Sequence, residues 1–154
     1  MDPVAFRLAT AADIAALVNL RMAFLADVAG ADPKDPVLLN ALSRYFSVAV
    51  PAGEFTAYLA IANDQIIATS GLVYHRNPPS ARNPQGKQAY IMNMYTVPAW
   101  RGRGIASELL TRLLAIARQE NCRWVSLHSY PRAKPIYLKA GFQPVEDEMR
   151  LELR

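Results

Sequence analysis

The N-terminal part of the chain shows two spacings of hydrophobic residues, which predict a short strand followed by two helices. Residues 4–9 have the composition of a strand. Thr10, with Asp13 three residues later, predicts a capping box at the start of a helix. The apolar residues that follow recur at helical spacing until Gly30, namely Ile14, Leu17, Val18, Met22 and Leu25. Asp35 and Pro36 predict a second helix start before the apolar stripe Leu38, Leu42, Tyr45 and Phe46.

The rest of the pattern predicts a sheet interrupted by helices. Residues 55–62 and 65–74 flank the turn Asn63-Asp64 and predict an antiparallel hairpin. After a polar loop, the predicted elements are a strand at 88–97, a long helix from Ile105, a strand at 124–128, a short helix at 131–140 and a closing hairpin or strand pair at 142–153. Strand, helix and strand in succession over 88–128 predict a parallel or near-parallel pair within the sheet.

Composition limits the class of protein. A chain of 154 residues predicts a single domain, 1–154, with a core that needs no covalent staples. No apolar run is long enough for a membrane span, and the N-terminus lacks the pattern of a signal peptide. The one cysteine, Cys122, excludes a disulfide framework and a thiolate zinc cage, and two histidines make a histidine-rich metal site hard to build. We therefore expect a soluble cytoplasmic protein without a metal.

Positive charge is concentrated in one segment. Residues 98–139 contain eight basic and two acidic residues, a net charge of +6, whereas the whole chain carries +4. Three interpretations remain open on charge alone. The segment forms a nucleic-acid face, it binds a small polyanion such as a nucleotide cofactor, or it consists of solvated helix faces.

The stretch with most chemical content lies between a predicted strand and a predicted helix. It reads Arg101-Gly102-Arg103-Gly104-Ile105-Ala106-Ser107. Glycines let the backbone approach a ligand closely, and a helix start presents unpaired N–H groups and the positive end of the helix dipole. The arrangement suits a phosphate or pyrophosphate, although it is neither the dinucleotide fingerprint nor a P-loop. The alternative is a tight turn whose arginines lie in solvent.

This stretch resembles the signature Gln/Arg-x-x-Gly-x-Gly/Ala of the GNAT superfamily, the acyl-CoA-dependent N-acyltransferases. Further similar segments flank it in the expected order, at Met94-Tyr95-Thr96-Val97-Pro98 before it and at 135–142 after it. The resemblance covers nearly the whole chain and is strongest over 88–142. It implies an α/β (α+β) fold with a mixed, mostly antiparallel central sheet, a splayed parallel strand pair and about four flanking helices.

The resemblance also implies a cofactor, acetyl-CoA, and a site for it. Main-chain groups at Met94 and Thr96 would pair with the pantetheine arm as if it were an added strand. The N–H groups from Gly102 to Ser107 would hold the pyrophosphate, with Arg101 and Arg103 adding charge. The cofactor-binding residues implied in this way are Met94, Tyr95, Thr96, Arg101, Gly102, Arg103, Gly104, Ile105, Ala106 and Ser107.

For catalysis the resemblance implies Tyr137 as the acid that protonates the departing thiolate, because a phenol is a suitable proton donor to a thiolate. The alternative is a core aromatic residue. Many members have an asparagine at the position of Tyr130, so a polar contact from there is in doubt. No carboxylate base is evident on the central strands, and the base stays unassigned among His75, His128, Glu54 or a water chain. Asn93 either faces the acceptor or is structural, and Cys122 is expected to be inert.

The implied reaction is acetyl transfer from acetyl-CoA to a primary amine by direct attack in a ternary complex. We expect a small-molecule or peptide acceptor between the first two helices and the C-terminal hairpin, and neither a nucleic acid nor a membrane as partner. Acidic residues at 27, 32, 35 and 146–148 would attract a cationic amine there or are solvated loop charges. The alternatives are a CoA-binding module without turnover and a basic nucleic-acid binder. An exposed edge strand in the C-terminal hairpin would make a homodimer unsurprising.

Overall fold

The fold is a five-stranded sheet with helices on both faces, seen in a computed structural model that describes residues 3–153. The strands are β1 (Ala5–Leu8), β2 (Phe55–Ala62), β3 (Gln65–Arg76), β4 (Lys87–Thr96) and β5 (Val125–Leu127). The α-helices are α1 (Ile14–Ala29), α2 (Pro36–Ala49), α3 (Ile105–Gln119) and α4 (Lys134–Lys139), and short 3-10 helices lie at Ala11–Asp13 and Pro98–Trp100. None of the helices within residues 3–153 is both long and apolar enough to cross a membrane.

The strands lie in the sheet in their order along the chain. The pairs from β1 to β4 are antiparallel, whereas β4 and β5 are parallel because α3 carries the chain back across the sheet between them. This arrangement confirms the predicted mixed, mostly antiparallel sheet with one parallel pair and four flanking α-helices.

Residues of β2 alternate between two cores because successive side chains of a strand point to opposite faces. Phe55, Ala57 and Leu59 pack in a cluster with α1 and α2, while Ala60 and Ala62 pack with α3 on the other face. Both faces of β2 are therefore covered, and its neighbour β3 is buried over residues 67–72, so these two strands form the buried centre of the sheet.

A β-bulge interrupts β4 beside the centre of the sheet. Tyr95 pairs with Thr69 and Met92 pairs with Gly71, so Asn93 and Met94 together lie opposite the single residue Ser70. Asn93 has a φ of 59°, in the left-handed region that asparagine tolerates better than most residues. Bulges bend a strand and change the direction of its side chains, and this one separates two cavities described below.

The predicted capping box before α1 is confirmed. The Thr10 side chain accepts from the N–H of Ala12, and the Asp13 carboxylate accepts from the N–H of Thr10 at 2.8 Å. The Arg7 guanidinium forms two further bonds of 2.8 Å to both oxygens of the buried Asp13 carboxylate. These contacts fix the start of the helix that carries Arg21 and Asp27.

The Asp13 network predicts a pH-dependent contribution to stability. Hydrogen bonds from Arg7 lower the pKa of Asp13 to about 2, and a depressed pKa in the folded state means stabilisation that is present above the unfolded pKa of about 3.9. We expect Asp13→Asn to lower the free energy of unfolding by about 2 kcal/mol at pH 7. The difference from wild type should shrink as the pH falls from about 4 towards about 2.

Urea unfolding at several pH values measures this difference. Asp64→Asn, the same exchange in the exposed turn between β2 and β3, is the matched control and should leave stability nearly unchanged at neutral pH. A loss in Asp13→Asn that is equally large at pH 7 and near pH 2 would contradict the assignment.

The expected C-terminal hairpin is absent from the described residues. Residues 142–153 contain neither strand nor helix, and the apolar side chains of Val145, Met149, Leu151 and Leu153 are exposed. A strand needs a partner edge of comparable length, but β5, the neighbouring edge strand, is only three residues long. The prediction of a closing strand pair was therefore wrong for this structure, and a homodimer stays a prediction.

Candidate active site

Strand pairing between β4 and β5 ends early and leaves an open edge. The last paired residues are Ile91 and Leu127, so β4 continues towards Thr96 without β5 beside it. The N–H of Val97 bonds to Ile67 across the sheet on the β3 side, and backbone direction alternates along a strand. The main-chain groups of Met94 and Thr96, which the family resemblance implied for the pantetheine arm, therefore lie on the open edge, where the Thr96 carbonyl already accepts from Arg101 Nε.

A cavity of about 420 Å³ occupies this opening, and we call it the α3 cavity because the N-terminus of α3 forms one wall. Most of the residues predicted for cofactor binding and catalysis come together here. They are Met94, Tyr95, Thr96, Arg101, Gly102, Gly104, Ile105, Ala106, Ser107 and Tyr137. Trp100, Arg132, Ala133 and Ile136, which the sequence interpretation did not include, also line it.

The glycine bend before α3 leaves main-chain donors exposed to the α3 cavity. Gly102 and Gly104 have φ values of 75° and 77°, and a Cβ at either position would meet nothing within 4 Å. Gly104 is the N-cap of α3, and no side chain caps the helix. None of the N–H groups from Gly102 to Ser107 has an acceptor among the described residues. Unpaired N–H groups together with the helix dipole make this wall an anion-binding surface.

The two arginines of the bend have different environments. Arg101 lines the α3 cavity, but its Nε donates to the Thr96 carbonyl at 2.9 Å and its Nη2 lies 2.9 Å from Asp27 Oδ2. Arg103 lies outside the cavity lining, with its guanidinium 4.6 Å from the centre of the Trp100 ring and a bond to the Ala99 carbonyl. The structure therefore brings Arg101 to the cavity and not Arg103.

Asp27 joins the bend to the segment before α4. Its Oδ2 forms ion pairs with both Arg132 and Arg101, and these contacts lower the pKa of Asp27, with Arg132 the larger cause. Asp35 caps α2, and Asp32 accepts from the Lys34 N–H. These three carboxylates, which the sequence offered as attractants for a cationic amine, have partners within the protein.

Tyr137 lies on α4 with 6% of its surface exposed, and it lines the α3 cavity. Its ring meets Phe142 edge-on at 5.9 Å, and its hydroxyl forms no hydrogen bond with any described residue. Burial raises the pKa of Tyr137, and the neighbouring Tyr90 adds to the shift. The phenol therefore keeps its proton at neutral pH and can donate it into the cavity.

A second cavity, of about 440 Å³, lies on the other side of the bulge, and we call it the α1/α2 cavity. Its wall is mostly apolar, with Leu42, Tyr45, Phe46, Phe55, Val73 and Met92 as the main contributors. Arg21, His75, Tyr90 and Asn93 supply polar groups. The sequence interpretation missed Arg21, although an arginine between the buried residues Leu20 and Met22 of an apolar helix was a signal.

Asn93 connects the bulge to the α1/α2 cavity. Its side chain is 3% exposed, and neither the amide oxygen nor the amide nitrogen has a partner among the described residues. The next residue, Met94, lines the α3 cavity. The bulge thus places adjacent residues of β4 in two different cavities.

The three candidates for the base occupy different places. His75 lines the α1/α2 cavity and contacts the Tyr90 ring edge-on. His128 is exposed, its Nδ1 is hydrogen-bonded to the Tyr90 hydroxyl, and its Nε2 lies 3.4 Å from Glu148. Glu54 is exposed and lines neither cavity. A chain of polar groups therefore leads from the α1/α2 cavity through Tyr90 and His128 to the surface.

Tyr130 and Cys122 lie outside the linings of both cavities. The Tyr130 ring packs edge-on against Phe24 of α1 at 6.0 Å, and Phe24 also contacts Tyr95 of β4. Burial raises the pKa of the Cys122 thiol, which disfavours the thiolate that a nucleophile needs. Neither residue supplies a reactive group to the two cavities.

Comparison with known proteins places this arrangement in a family. A model of the acetyltransferase (GNAT) family matches residues 17–142. A structure described as a predicted acetyltransferase with acetyl-CoA, from Clostridium acetobutylicum, is 34% identical with a TM-score of 0.90, over 98% of this chain and 97% of that one. A GCN5-related N-acetyltransferase from Ralstonia eutropha JMP134 is 24% identical with a TM-score of 0.87, over 98% and 99% of the two chains, and supports the fold.

A shorter match links the chain to a curated enzyme. Glucosamine 6-phosphate N-acetyltransferase from Trypanosoma brucei brucei is 36% identical over 64 residues. This match spans 42% of the chain and 44% of that protein, less than half of its length. The family match, in contrast, begins within α1 and ends just beyond α4. The chain therefore belongs to the GNAT family of acetyltransferases.

Proposed function

We propose that this acyltransferase moves an acetyl group from acetyl-CoA to a primary amine by direct attack, with both substrates bound together. The observation that carries the proposal is the bulge at Asn93 and Met94, where the α3 cavity and the α1/α2 cavity lie on either side of one strand. Two cavities that approach each other at one point suit a reaction in which positioning supplies much of the rate.

The α3 cavity fits coenzyme A. Its unpaired N–H groups from Gly102 to Ser107 suit a diphosphate, and its open β4 edge suits the amides of a pantetheine arm. Arg101 and Arg132 line the same cavity, and because the single carboxylate of Asp27 pairs with both, one positive charge is left in excess there. Bound acetyl-CoA would supply an acetyl thioester and a thiolate leaving group. The prediction of this cofactor is in agreement with the family and with the acetyl-CoA in the Clostridium acetobutylicum structure.

The α1/α2 cavity is the proposed site of the amine. As the amine nitrogen forms the new C–N bond it must lose a proton, and the sulfur that leaves must gain one. Tyr137 holds a proton at its Oη on the wall of the α3 cavity, and its raised pKa keeps that proton in place until a thiolate develops. We assign Tyr137 the role of acid.

The proton from the amine leaves through Tyr90 and His128 in this proposal. Burial raises the pKa of Tyr90, so its hydroxyl stays neutral and acts as a relay that passes one proton to His128 Nδ1 while accepting another. His128 is exposed and releases the proton to water or to Glu148. This route assigns a function to a histidine that would otherwise be only a surface residue.

Removal of the relay should slow turnover without abolishing it. We expect His128→Gln to lower kcat by ~10-fold, less than the loss of a group that acts directly on the reacting atoms, because water partly replaces it. Added imidazole should restore part of the rate. His75→Gln is the comparison. If it lost more kcat than His128→Gln, and if imidazole did not restore the rate of His128→Gln, His75 and not His128 would be the base.

Release of free thiol tests the proposed function itself. Acetyl-CoA with a panel of primary amines should give thiol release that depends on both substrates, and calorimetry should show 1:1 binding of CoA to the protein alone. If CoA bound tightly but no amine in the panel caused thiol release from acetyl-CoA, the protein would be a CoA-binding module without turnover. Absence of CoA binding would refute the proposal.

A further inference from the structure

The α1/α2 cavity contains a positive charge without a matching negative one. Arg21 is partly buried on α1, and within residues 3–153 its guanidinium forms no ion pair and no hydrogen bond. The guanidinium carbon lies over the face of the Phe24 ring, 5.3 Å from the ring centre. Burial lowers the pKa of Arg21, but arginine keeps its charge in proteins. A guanidinium removed from water without an anion is costly, and a bound anion would offset that cost.

A second polar group of the wall, the Asn93 amide, is also unpaired among the described residues. Asn93 is buried with both amide atoms unsatisfied, and a buried amide normally has at least one partner. Its oxygen accepts and its nitrogen donates, so a ligand with an amine next to a carboxylate would satisfy both atoms. Because Asn93 lies beside Met94 at the bulge, an amine held by Asn93 would lie next to the α3 cavity.

The apolar part of the cavity wall indicates which ligand side chains would fit. Leu42, Phe46, Phe55 and Val73 offer no hydrogen bonds, so a sugar would leave its hydroxyl groups unpaired against them. Arg21 is the one arginine or lysine among the described lining residues, so its guanidinium matches the single charge and planar shape of a carboxylate, whereas a phosphate dianion carries twice that charge. The cavity volume of about 440 Å³ lies within the range of small-molecule sites.

We propose that the acceptor is a free amino acid with an apolar side chain, or a close analogue, whose carboxylate binds Arg21 and whose amine is oriented by Asn93. This inference rests on the proposed function and narrows its acceptor. It differs from the sugar phosphate in the name of the curated relative from Trypanosoma brucei brucei, and the two acceptors can be tested side by side.

The first experiment compares amines that have the same side chain and differ in whether they carry a carboxylate. Phenylalanine and leucine are assayed by thiol release with acetyl-CoA beside their C-terminal amides, and phenethylamine and glucosamine 6-phosphate are included. We expect kcat/KM to be at least ~30-fold higher for the free acids than for the amides. The amides lack the carboxylate that would form a charge-assisted hydrogen bond with Arg21, and the ~30-fold ratio corresponds to the typical free energy of such a bond. Equal values for acid and amide, or a preference for glucosamine 6-phosphate, would overturn the inference.

The second experiment removes the guanidinium. Arg21→Gln should lower kcat/KM for phenylalanine or leucine by ~30-fold, mainly through KM, and should change the values for their amides by less than ~3-fold. Arg21→Lys should restore part of the affinity, because it returns the charge without the planar fork. Arg44→Gln, on the exposed face of α2 and outside the cavity lining, is the matched control and should behave as wild type.

A binding measurement separates this inference from the proposed function. Phenylalanine and leucine are titrated calorimetrically into the CoA-loaded protein, and binding should occur in wild type and be lost in Arg21→Gln. If no amine releases thiol but this binding is seen, the proposed function fails while the inference on the ligand stands. If amines without a carboxylate release thiol and neither amino acid binds, the inference fails alone. Circular dichroism of each variant confirms that it is folded, and if Arg21→Gln is not, the calorimetric comparison of the free amino acids with their amides in the wild-type protein decides instead, with binding expected for the acids alone.

Discussion

The Tyr137→Phe variant is expected to lose ~10²–10³-fold in kcat while binding CoA with nearly wild-type affinity. The substitution removes one oxygen from a ring that packs against Phe142, and the ring itself stays apolar and buried. Because the hydroxyl forms no hydrogen bond with any described residue, its removal leaves no unpaired group in the protein. The loss should therefore appear in the chemical step and not in stability.

Thiol-release kinetics and calorimetry with CoA measure the two quantities separately. Tyr130→Phe is the matched control, since Tyr130 packs against Phe24 outside the cavity lining, and it should keep wild-type kcat. Equal turnover of Tyr137→Phe and wild type at saturating substrates would remove Tyr137 as the acid and leave it as a core residue.

The pKa of Tyr137 gives the same role a pH signature. Burial raises that pKa above the ordinary phenol value of about 10, so the acid stays protonated to higher pH than a solvated tyrosine. A fall in kcat caused by loss of the Tyr137 proton should therefore occur at a higher pH than the ionisation of a solvated tyrosine. The Tyr137→Phe variant should lack that fall.

Local patterns allowed much of the fold to be predicted. The capping box at Thr10 and Asp13, the helical stripes and the glycine bend at Gly102 and Gly104 all depend on residues within a few positions of one another. Such features are visible in a sequence because the spacing of residues determines them directly. The anion-binding bend of the α3 cavity could be anticipated for the same reason, whereas Met94, Thr96 and Tyr137 were implied by the resemblance to a family.

Features that depend on tertiary register could not be predicted in this way. Asp27 pairs with Arg101 and Arg132, which lie 74 and 105 residues away along the chain. The bulge at Asn93 follows from the register of β4 against β3, and no local pattern marks it. The wrong prediction of strands at 142–153 arose from a local pattern that was present, the alternation of apolar residues. The structure offers these residues no partner edge of sufficient length, so no strand forms there.

The α1/α2 cavity, the proposed site of the acceptor, illustrates why features that depend on tertiary structure could not be predicted from local sequence patterns. The α1/α2 cavity takes Arg21 from α1, aromatic residues from α2, and Asn93 from β4, and the chain between them includes most of the sheet. A single charged residue in an apolar stripe has meaning only when the surface that it faces is known. The structure supplies that surface, and Arg21 then becomes the basis of the acceptor that we propose.

Gly104→Val should weaken CoA binding by ~100-fold, equivalent to about 2.7 kcal/mol. Gly104 has a φ of 77°, and a side chain there would project into open space at the uncapped start of α3. A bulky group would then stand where a diphosphate must approach the N–H groups from Gly102 to Ser107. Strain from the left-handed backbone adds a cost of about 1–2 kcal/mol to folding, which by itself does not alter affinity.

The chain offers a control that separates strain from obstruction. Gly53, in the turn between α2 and β2, has a φ of 71° and equally open surroundings, but it lies outside the α3 cavity. Gly53→Val should lower the melting temperature about as much as Gly104→Val and should bind CoA with wild-type affinity in calorimetry. If both variants bound CoA as wild type does, the glycine bend would be only a turn, and the diphosphate would have to bind elsewhere. Loss of affinity in Gly104→Val alone would instead identify the N-terminus of α3 as the wall that recognises the nucleotide.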